Sequence, residues 1–234
     1  MRSLACALVA TLATAFNVDK LSAYQSKQWS NDTITPVQIE VDGEMQTKYY
    51  TAFDPTNTDG TDAATLPAGG RSYITSNANF DKSNPDYWYP NLLNGYVEYD
   101  VDLSQHECGC IAAFYTVSMP GVDKDGNIWL DTDGYGYCDA NQVGGNWCPE
   151  FDIMEANKWS WATTPHTCDA PDDKGYYKKC DQGGTGATNI VEKLGAKAYG
   201  PDSSYSINTS EPFHAKIEFY EKAFRTTFTQ GDNT

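Results

Sequence analysis

The sequence has 234 residues, with 16 Lys and Arg against 32 Asp and Glu, a formal charge of −16 and 40% hydrophobic residues. This apolar content excludes a wholly disordered chain, and the length suits one large domain. Phosphate backbones and anionic membranes are bound by clustered Lys and Arg, so we expect neither nucleic acid nor a membrane as partner. The acidic residues are 22 Asp and 10 Glu, which together with 19 Gly favours a loop-rich β protein.

Residues 1–15 have the pattern of a secretory signal peptide. Arg2 supplies a positive start, an apolar run follows from residue 4, and Ala13-Thr14-Ala15 is a small-x-small cleavage site. A membrane anchor would need about 20 apolar residues, which the run does not reach. We expect cleavage after Ala15, with Ala23 as the alternative, and a secreted domain over residues 16–234.

Secretion changes how the cysteines are interpreted. Cleavage removes Cys6 and leaves 7 − 1 = 6 cysteines, an even number that predicts up to three disulfides in an oxidising compartment. The sequons at Asn31 and Asn208 agree with secretion and glycosylation.

Alternating apolar residues predict several β-strands along the chain. The predicted strands cover residues 37–41, 97–103, 204–207 and 215–220, and an almost continuous apolar run over 110–119 predicts a central strand covered on both faces. Long polar segments at 54–70, 121–136 and 169–189 predict loops. Only residues 190–198 have helical spacing, and their apolar stripe is poor. Strands joined by long loops favour a sandwich whose loops form a cleft.

The acids of Glu150-Phe151-Asp152-Ile153-Met154-Glu155 follow the pattern E-x-D-x-x-E. On a helix these three carboxylates would splay, and on a regular strand Glu155 would point away from the other two. A β-bulge between Asp152 and Glu155 would return all three to one face. The two Glu Cα atoms would then lie about 13 Å apart, which allows the carboxyl separation of about 5 to 5.5 Å found in retaining glycosidases. The alternative is an acidic edge strand that discourages aggregation.

Three segments follow one another around this motif: Gly136-Tyr137-Cys138-Asp139-Ala140, the segment from Cys148 to Asn157, and Thr164-Pro165-His166-Thr167-Cys168. Together they resemble glycoside hydrolase family 7, the cellobiohydrolases and endoglucanases. The resemblance covers about residues 90–220. It implies an all-β, concanavalin A-like jelly-roll sandwich and a retaining cellulase that acts on a β-glucan, without a cofactor or metal, as a secreted monomer.

The resemblance also implies roles for individual residues. Glu150 matches the nucleophile, Glu155 the acid/base and Asp152 the acid that orients the nucleophile. Substrate contacts are implied for Tyr115, Tyr137, Asp139 and His166, although a buried structural role for Tyr115 is an equal alternative. Of the neighbouring Trp129, Trp147, Trp159 and Trp161, we expect one or two to face the cleft.

The cysteines and the chain length complete these expectations. The resemblance implies disulfides between Cys138 and Cys148 and between Cys168 and Cys180, while Cys108 and Cys110 either pair or stay free. Family 7 domains are considerably longer, so a truncated sequence and a reduced sandwich of laminarinase size both stay open. The carboxylate motif also resembles that of β-1,3(4)-glucanases, and a non-catalytic glucan-binding lectin is a further alternative.

Overall fold

The computed structural model describes residues 7–12, 33–52, 57–58, 64–65, 70–79, 81, 84–129, 135–185 and 188–232. Within these residues we find no helix with the length and apolar character needed to cross a membrane. The strands are β1 (Ala7–Leu12), β2 (Thr33–Val41), β3 (Glu44–Ala52), β4 (Asn57–Thr58), β5 (Ala64–Thr65), β6 (Gly70–Thr75), β7 (Tyr96–Val101), β8 (Ala112–Val117), β9 (Glu150–Ala156), β10 (Trp161–His166), β11 (Thr188–Asn189), β12 (Tyr199–Gly200), β13 (Ile207–Asn208), β14 (Phe213–Phe219) and β15 (Phe224–Thr229). A short 3₁₀ helix covers Val143–Gly145, and helix α1 covers Ile190–Leu194.

Two antiparallel sheets form the body of the described fold. The larger sheet has the order β11-β10-β9-β8-β1-β6-β3-β2, and the smaller has the order β15-β14-β7. Aromatic side chains pack edge to face between the sheets: Phe151 on Phe219 with ring centroids 5.1 Å apart, and Tyr99 on Phe114 at 5.0 Å. Such contacts add to the apolar area that each ring removes from water. The predicted all-β sandwich is confirmed.

Most predicted strands are present, with shifted ends. β7 alternates exposed and half-buried residues as its sequence predicts, and β14 alternates buried and half-buried ones. β8 lies between β9 and β1, as expected of the apolar run at 110–119. The segment 204–207 is mostly a turn, because only Ile207 and Asn208 reach the short strand β13.

Helix α1 has five residues and is capped at both ends. The side-chain oxygen of Asn189 accepts hydrogen bonds from the N–H groups of Val191 and Glu192, and Gly195 ends the helix at φ +97°. Asn is a preferred N-cap residue, and Gly tolerates the positive φ at the end.

A second buried cluster covers the other face of β8. It contains Tyr115 and Val117 of β8, Tyr73 of β6, and residues of the long segment between β8 and β9, among them Tyr137 and the cysteine pair Cys138 and Cys148. β8 thus has apolar neighbours on both faces, as predicted. This cluster supports the side of the large sheet that faces away from β14.

Both implied disulfides are present. Cys138 is bonded to Cys148 in the segment between β8 and β9, and Cys168 to Cys180 in the segment between β10 and β11. Each bond closes a loop beside β9 or β10 and restricts its conformations. Cys108 and Cys110 are both free, the first exposed and the second buried. Cys6 and Asn31 lie outside the described residues.

The backbone of β1 lies between β8 and β6. Ala7 pairs with Val117, and Leu12 with Gly70 on the other side. This strand lies inside the predicted signal peptide, so the arrangement belongs to the uncleaved chain. Cleavage after Ala15 stays a prediction.

Candidate active site

The three acids of β9 share one face of the large sheet. Glu150, Asp152 and Glu155 pair with Val117, Tyr115 and Ala113 of β8, which are alternate residues of that strand. On the other side they pair with His166, Thr164 and Ala162 of β10, again alternate residues. Directly paired residues of antiparallel strands point to the same side, so both neighbours place the three carboxylates together.

A β-bulge in β9 makes this possible. Between Asp152 and Glu155 the chain advances three residues, while β10 advances only two, from Thr164 to Ala162. The register with β8 shifts at the same place. The extra residue restores the alternation for Glu155, so the predicted bulge is confirmed.

The same strand is anchored on its opposite side by apolar residues. Ile153 and Met154 are buried in the main core, and Phe151 packs edge to face on Phe224 with ring centroids 5.3 Å apart. Large apolar side chains in a packed core resist displacement, so β9 holds the carboxylates on a rigid element rather than on a loop.

Glu150 has a strongly perturbed carboxyl group. Burial raises its pKa to about 8, and repulsion from Asp152 adds to this. The N–H of Ala140 donates a hydrogen bond to Oε2 at 3.1 Å and acts in the opposite direction, because it favours the carboxylate. Burial and the nearby charge thus make Glu150 harder to ionise than an ordinary glutamate.

Glu155 is affected in the same way. Burial and the charge of Asp152 raise its pKa above the ordinary value, and the charge of His166 offsets part of this. Asp152 is 5% exposed. The charge of Asp152 raises the pKa of both Glu carboxyls, so the titrations of Glu150 and Glu155 depend on the same neighbour.

His166 contacts Asp152, not Glu155. Its Nε2 lies 3.0 Å from Oδ2 of Asp152, and its Nδ1 lies 2.7 Å from the carbonyl oxygen of Asp181. The hydrogen bond with Asp152 is the largest cause that raises the pKa of His166 to about 9, and the Asp181 carbonyl acts in the same direction. The ring is therefore a cation that lies beside the acids at neutral pH.

Tyr115 and Tyr137 form a buried pair next to the acids. Their hydroxyl oxygens are 3.1 Å apart, and the guanidinium of Arg71 lies over the ring of Tyr137 at 4.1 Å from the centroid. Sequence reasoning missed Arg71, because it stands after a polar, Gly-rich segment that was interpreted as a loop. The alternation of Arg71, Tyr73 and Thr75 in β6 was the available signal.

Asp139 has a structural role in this arrangement. Its Oδ1 accepts hydrogen bonds from the N–H groups of Asn141 and Val143, both at 2.9 Å, and so closes the turn inside the Cys138–Cys148 loop. Its charge also raises the pKa of Glu150. A direct contact with substrate, implied by the resemblance, stays a prediction.

The four tryptophans differ in environment. Trp161 lies in the main core, with its ring edge to face on Phe228 at 4.8 Å. Trp129 and Trp159 are exposed, and the indole N–H of Trp129 donates a hydrogen bond to the carbonyl of Gly144 at 2.9 Å. Trp129 thus packs on the same loop that carries Asp139.

Oxygen and nitrogen atoms of Glu150, Asp152 and His166 all lie within 4.8 Å of one another. Proximity alone would allow a small cation there. Nε2 of His166 lies 3.0 Å from Oδ2 of Asp152 and Nδ1 lies 2.7 Å from the Asp181 carbonyl, so the described side chains form a hydrogen-bonded network. An Nδ1–H that donates to a carbonyl is also compatible with a metal on Nε2, so the absence of a metal or cofactor stays a prediction.

Comparison with curated proteins gives an endoglucanase among the relatives of this chain. No family model matches the sequence. The chain is 30% identical over 167 residues to a probable endo-β-1,4-glucanase, celB, from Aspergillus clavatus, and the match covers 63% of this chain and 39% of that relative. The chain thus matches well under half the length of this curated relative.

Solved structures agree with the fold. The native endocellulase EGI of Humicola insolens superposes with a TM-score of 0.62 at 16% identity, and covers 87% of this chain and 72% of its own. A cellobiohydrolase of glycoside hydrolase family 7 from Daphnia pulex gives a TM-score of 0.54 at 23% identity, over 84% of this chain and 53% of its own. The predicted resemblance to family 7 and the jelly-roll sandwich are confirmed.

Proposed function

We propose that this chain is a secreted, retaining glycoside hydrolase that cleaves β-1,4-glucosidic bonds in cellulose or a related glucan. The observation that carries the proposal is the bulge in β9, which brings Glu150, Asp152 and Glu155 to one face. An acidic edge strand would need no bulge, and β9 lies between β8 and β10 rather than at an edge.

In the first step, the Glu150 carboxylate attacks the anomeric carbon of the bound sugar and forms an ester. Glu155 gives its proton to the glycosidic oxygen, so the leaving sugar departs as a neutral alcohol. The β8 partners of the two Glu residues, Ala113 and Val117, are four positions apart, which places the two Glu Cα atoms about 13 Å apart. Two Glu side chains that lean together can then reach the separation of about 5 to 5.5 Å that this chemistry needs.

In the second step, the Glu155 carboxylate takes a proton from a water molecule. The water oxygen attacks the anomeric carbon from the face that the leaving sugar vacated, and Glu150 is released as a carboxylate. Two displacements at one carbon return the original configuration, and Glu155 is protonated again for the next cycle.

The proton must lie on Glu155 before the first step, although burial raises the pKa of both Glu150 and Glu155. A sugar ring over Glu155 removes water from that carboxyl and raises its pKa further. Glu150 meanwhile keeps the N–H of Ala140 and the nearby charge of His166, both of which favour its ionised form. Substrate binding therefore favours a proton on the group that must donate it.

The chemistry of the catalytic face supports a neutral polysaccharide as substrate. This face combines carboxylates with one imidazole, so it offers hydrogen bonds to hydroxyl groups, whereas Tyr115 and Tyr137 are buried beside it. The name of the curated relative, a probable endo-β-1,4-glucanase, supports the β-1,4 linkage. The experiment must distinguish this function from two alternatives. These are a hydrolase of a β-1,3 or mixed-linkage glucan, and a lectin without activity.

The test measures reducing ends released from cellulose and from laminarin by the secreted protein, its Glu150→Gln and Glu155→Gln variants, and Glu192→Gln as a control on the exposed helix α1. We expect release from cellulose and a loss of at least about 100-fold in each cleft variant, with the control unchanged. Release from laminarin alone would indicate a β-1,3-glucanase instead. Binding to a glucan without release of reducing ends would indicate a lectin without activity.

Azide separates the roles of the two Glu residues, because it is a small nucleophile that needs no proton transfer. With an activated aryl cellobioside, Glu150→Ala should give the α-glycosyl azide, since azide then attacks the sugar directly. Glu155→Ala should give the β-glycosyl azide through the ester on Glu150. The opposite pair of products would reverse the two roles.

A further inference from the structure

The turn over residues 181–185 meets the catalytic face from the segment between β10 and β11. The carbonyl oxygen of Asp181 accepts the Nδ1–H of His166 at 2.7 Å. A carbonyl cannot donate, so this contact holds a proton on Nδ1, orients the ring and directs Nε2 at Asp152.

Hydrogen bonds hold this turn in one place. The N–H of Asp181 donates to the carbonyl of Thr167 at 2.8 Å, and the N–H of Thr185 donates to the carbonyl of Pro165 at 3.0 Å. Within the turn, the Asp181 carboxylate accepts the Thr185 hydroxyl at 2.5 Å and the N–H of Gly183 at 3.2 Å. The turn is thus attached to both sides of His166 in the chain, and the Cys168–Cys180 disulfide closes the loop that leads into it.

Gly184 is the point of closest approach. Its φ is +73°, and a Cβ at this position would collide with Cγ2 of Thr164 and lie 3.2 Å from Cε1 of His166. A residue with a side chain would have to move the turn away from the imidazole. The neighbouring Gly183 has no such restriction, because a Cβ there meets only the Asp181 carboxylate, at 3.8 Å.

We propose that Asp181 and Gly184 are positioning residues, which set the protonation of His166 and, through it, that of the carboxyls on β9. This inference rests on the proposed function for its catalytic meaning, but its structural part does not need turnover. The Asp181 carbonyl acts on the ring directly, and Gly184 permits the contact.

The charges around His166 determine the direction of the effect. Glu150 and Asp152 face the ring from β9 and favour its charged form. The ring in turn lowers the pKa of Glu150, Glu155 and the Asp181 side chain. Withdrawal of the Asp181 carbonyl should therefore lower the pKa of His166 and raise those of Glu150 and Glu155.

The test is an NMR titration of the imidazole Cε1–H signals. The chain has three histidines, so His106→Gln and His214→Gln assign the signal of His166 by elimination. In the unsubstituted protein His166 should titrate near 9, well above the ordinary value. In Gly184→Ala it should titrate at least about one pH unit lower, whereas Gly183→Ala should titrate like the unsubstituted protein.

Thr185→Val is the milder second variant, since it removes only the hydroxyl that holds the Asp181 carboxylate. It should give a smaller shift in the same direction, and it decides the matter if Gly184→Ala does not fold. Titration of His166 at its original pH in whichever of these variants folds would overturn the inference.

Activity gives the second readout. The acid limb of the kcat/KM profile should move to higher pH in Gly184→Ala, because Glu150 is harder to ionise, and should stay in place in Gly183→Ala. Failure of the unsubstituted protein to hydrolyse any glucan, with the NMR shifts as expected, would contradict the proposed function and leave the positioning role intact.

Discussion

Asp152 is the residue on which the electrostatics of the site depend. Its carboxylate raises the pKa of Glu150 and of Glu155 by repulsion, and raises the pKa of His166 by a hydrogen bond. These effects have opposite consequences, because they make the two acids harder to ionise and the imidazole easier to charge. One buried carboxylate therefore raises the pKa of three neighbouring groups.

An Asp152→Asn variant removes the charge and keeps the shape. The pKa of Glu150 should fall by about one unit or more, since a like charge next to it is lost, and that of His166 should fall as well. Carbon NMR of Glu side chains labelled at Cδ, together with the imidazole signals, measures both. An unchanged titration of Glu150 would mean that burial alone raises its pKa.

At the scale of secondary structure elements, β9 shows what the sequence could predict. The spacing of the acids required either one bulge or a site divided between two faces of the strand, and Phe151 and Ile153, which alternate with the acids, indicated the buried side. The burial patterns of β7, β8 and β14 were also predictable. A strand with one face in water alternates apolar and polar residues, whereas a central strand covered on both faces can be apolar throughout.

Other features could not be predicted, because they depend on contacts between distant segments. The bond from His166 to the carbonyl of Asp181 needs a loop that returns 15 residues later, and a backbone acceptor leaves no trace in the sequence. Arg71 contacts Tyr137 because the order of strands in the large sheet places β6 close to β8, and the sequence does not show this order. The strand β15 was missed because its Thr-rich sequence has a weak apolar pattern.

The strand β1 gives a prediction at this scale. Its backbone occupies the position between β6 and β8, yet it lies in the predicted signal peptide. We expect the protein secreted by a eukaryotic host to begin at Phe16, because the small-x-small site at Ala13 to Ala15 is accessible during translocation.

Intact mass and N-terminal sequencing of the secreted protein measure this directly. A secreted protein that retains residues 7–12 would contradict the signal peptide and would identify β1 as a permanent strand of the sheet. The alternative cleavage after Ala23 would appear as a shorter chain.

At the scale of the whole molecule, pH acts on stability through the same buried groups. Folding raises the pKa of Glu150 from 4.5 to about 8 and that of His166 from 6.5 to about 9. The folded state then binds more protons than the unfolded state between these values, so stability must fall as pH rises through this range. The net charge of −16 adds repulsion in the same direction.

We therefore expect Tm to decrease steadily from about pH 5 to pH 9 in thermal unfolding monitored by fluorescence. Glu150→Gln should give a flatter profile, because it removes one of the two groups, while Glu192→Gln on the exposed helix should reproduce the original slope. A Tm that is constant or rises over this interval would show that the acids and His166 are not protonated as their surroundings indicate.

The stereochemistry of hydrolysis distinguishes a retaining enzyme from an inverting one. Proton NMR of a soluble cello-oligosaccharide, recorded within the first minutes of reaction, separates the anomers of the new reducing end before they equilibrate. We expect the β-anomer first, because Glu150 and Glu155 act in two displacements on one face of β9. The α-anomer first, or no product from a folded protein, would contradict the proposed mechanism.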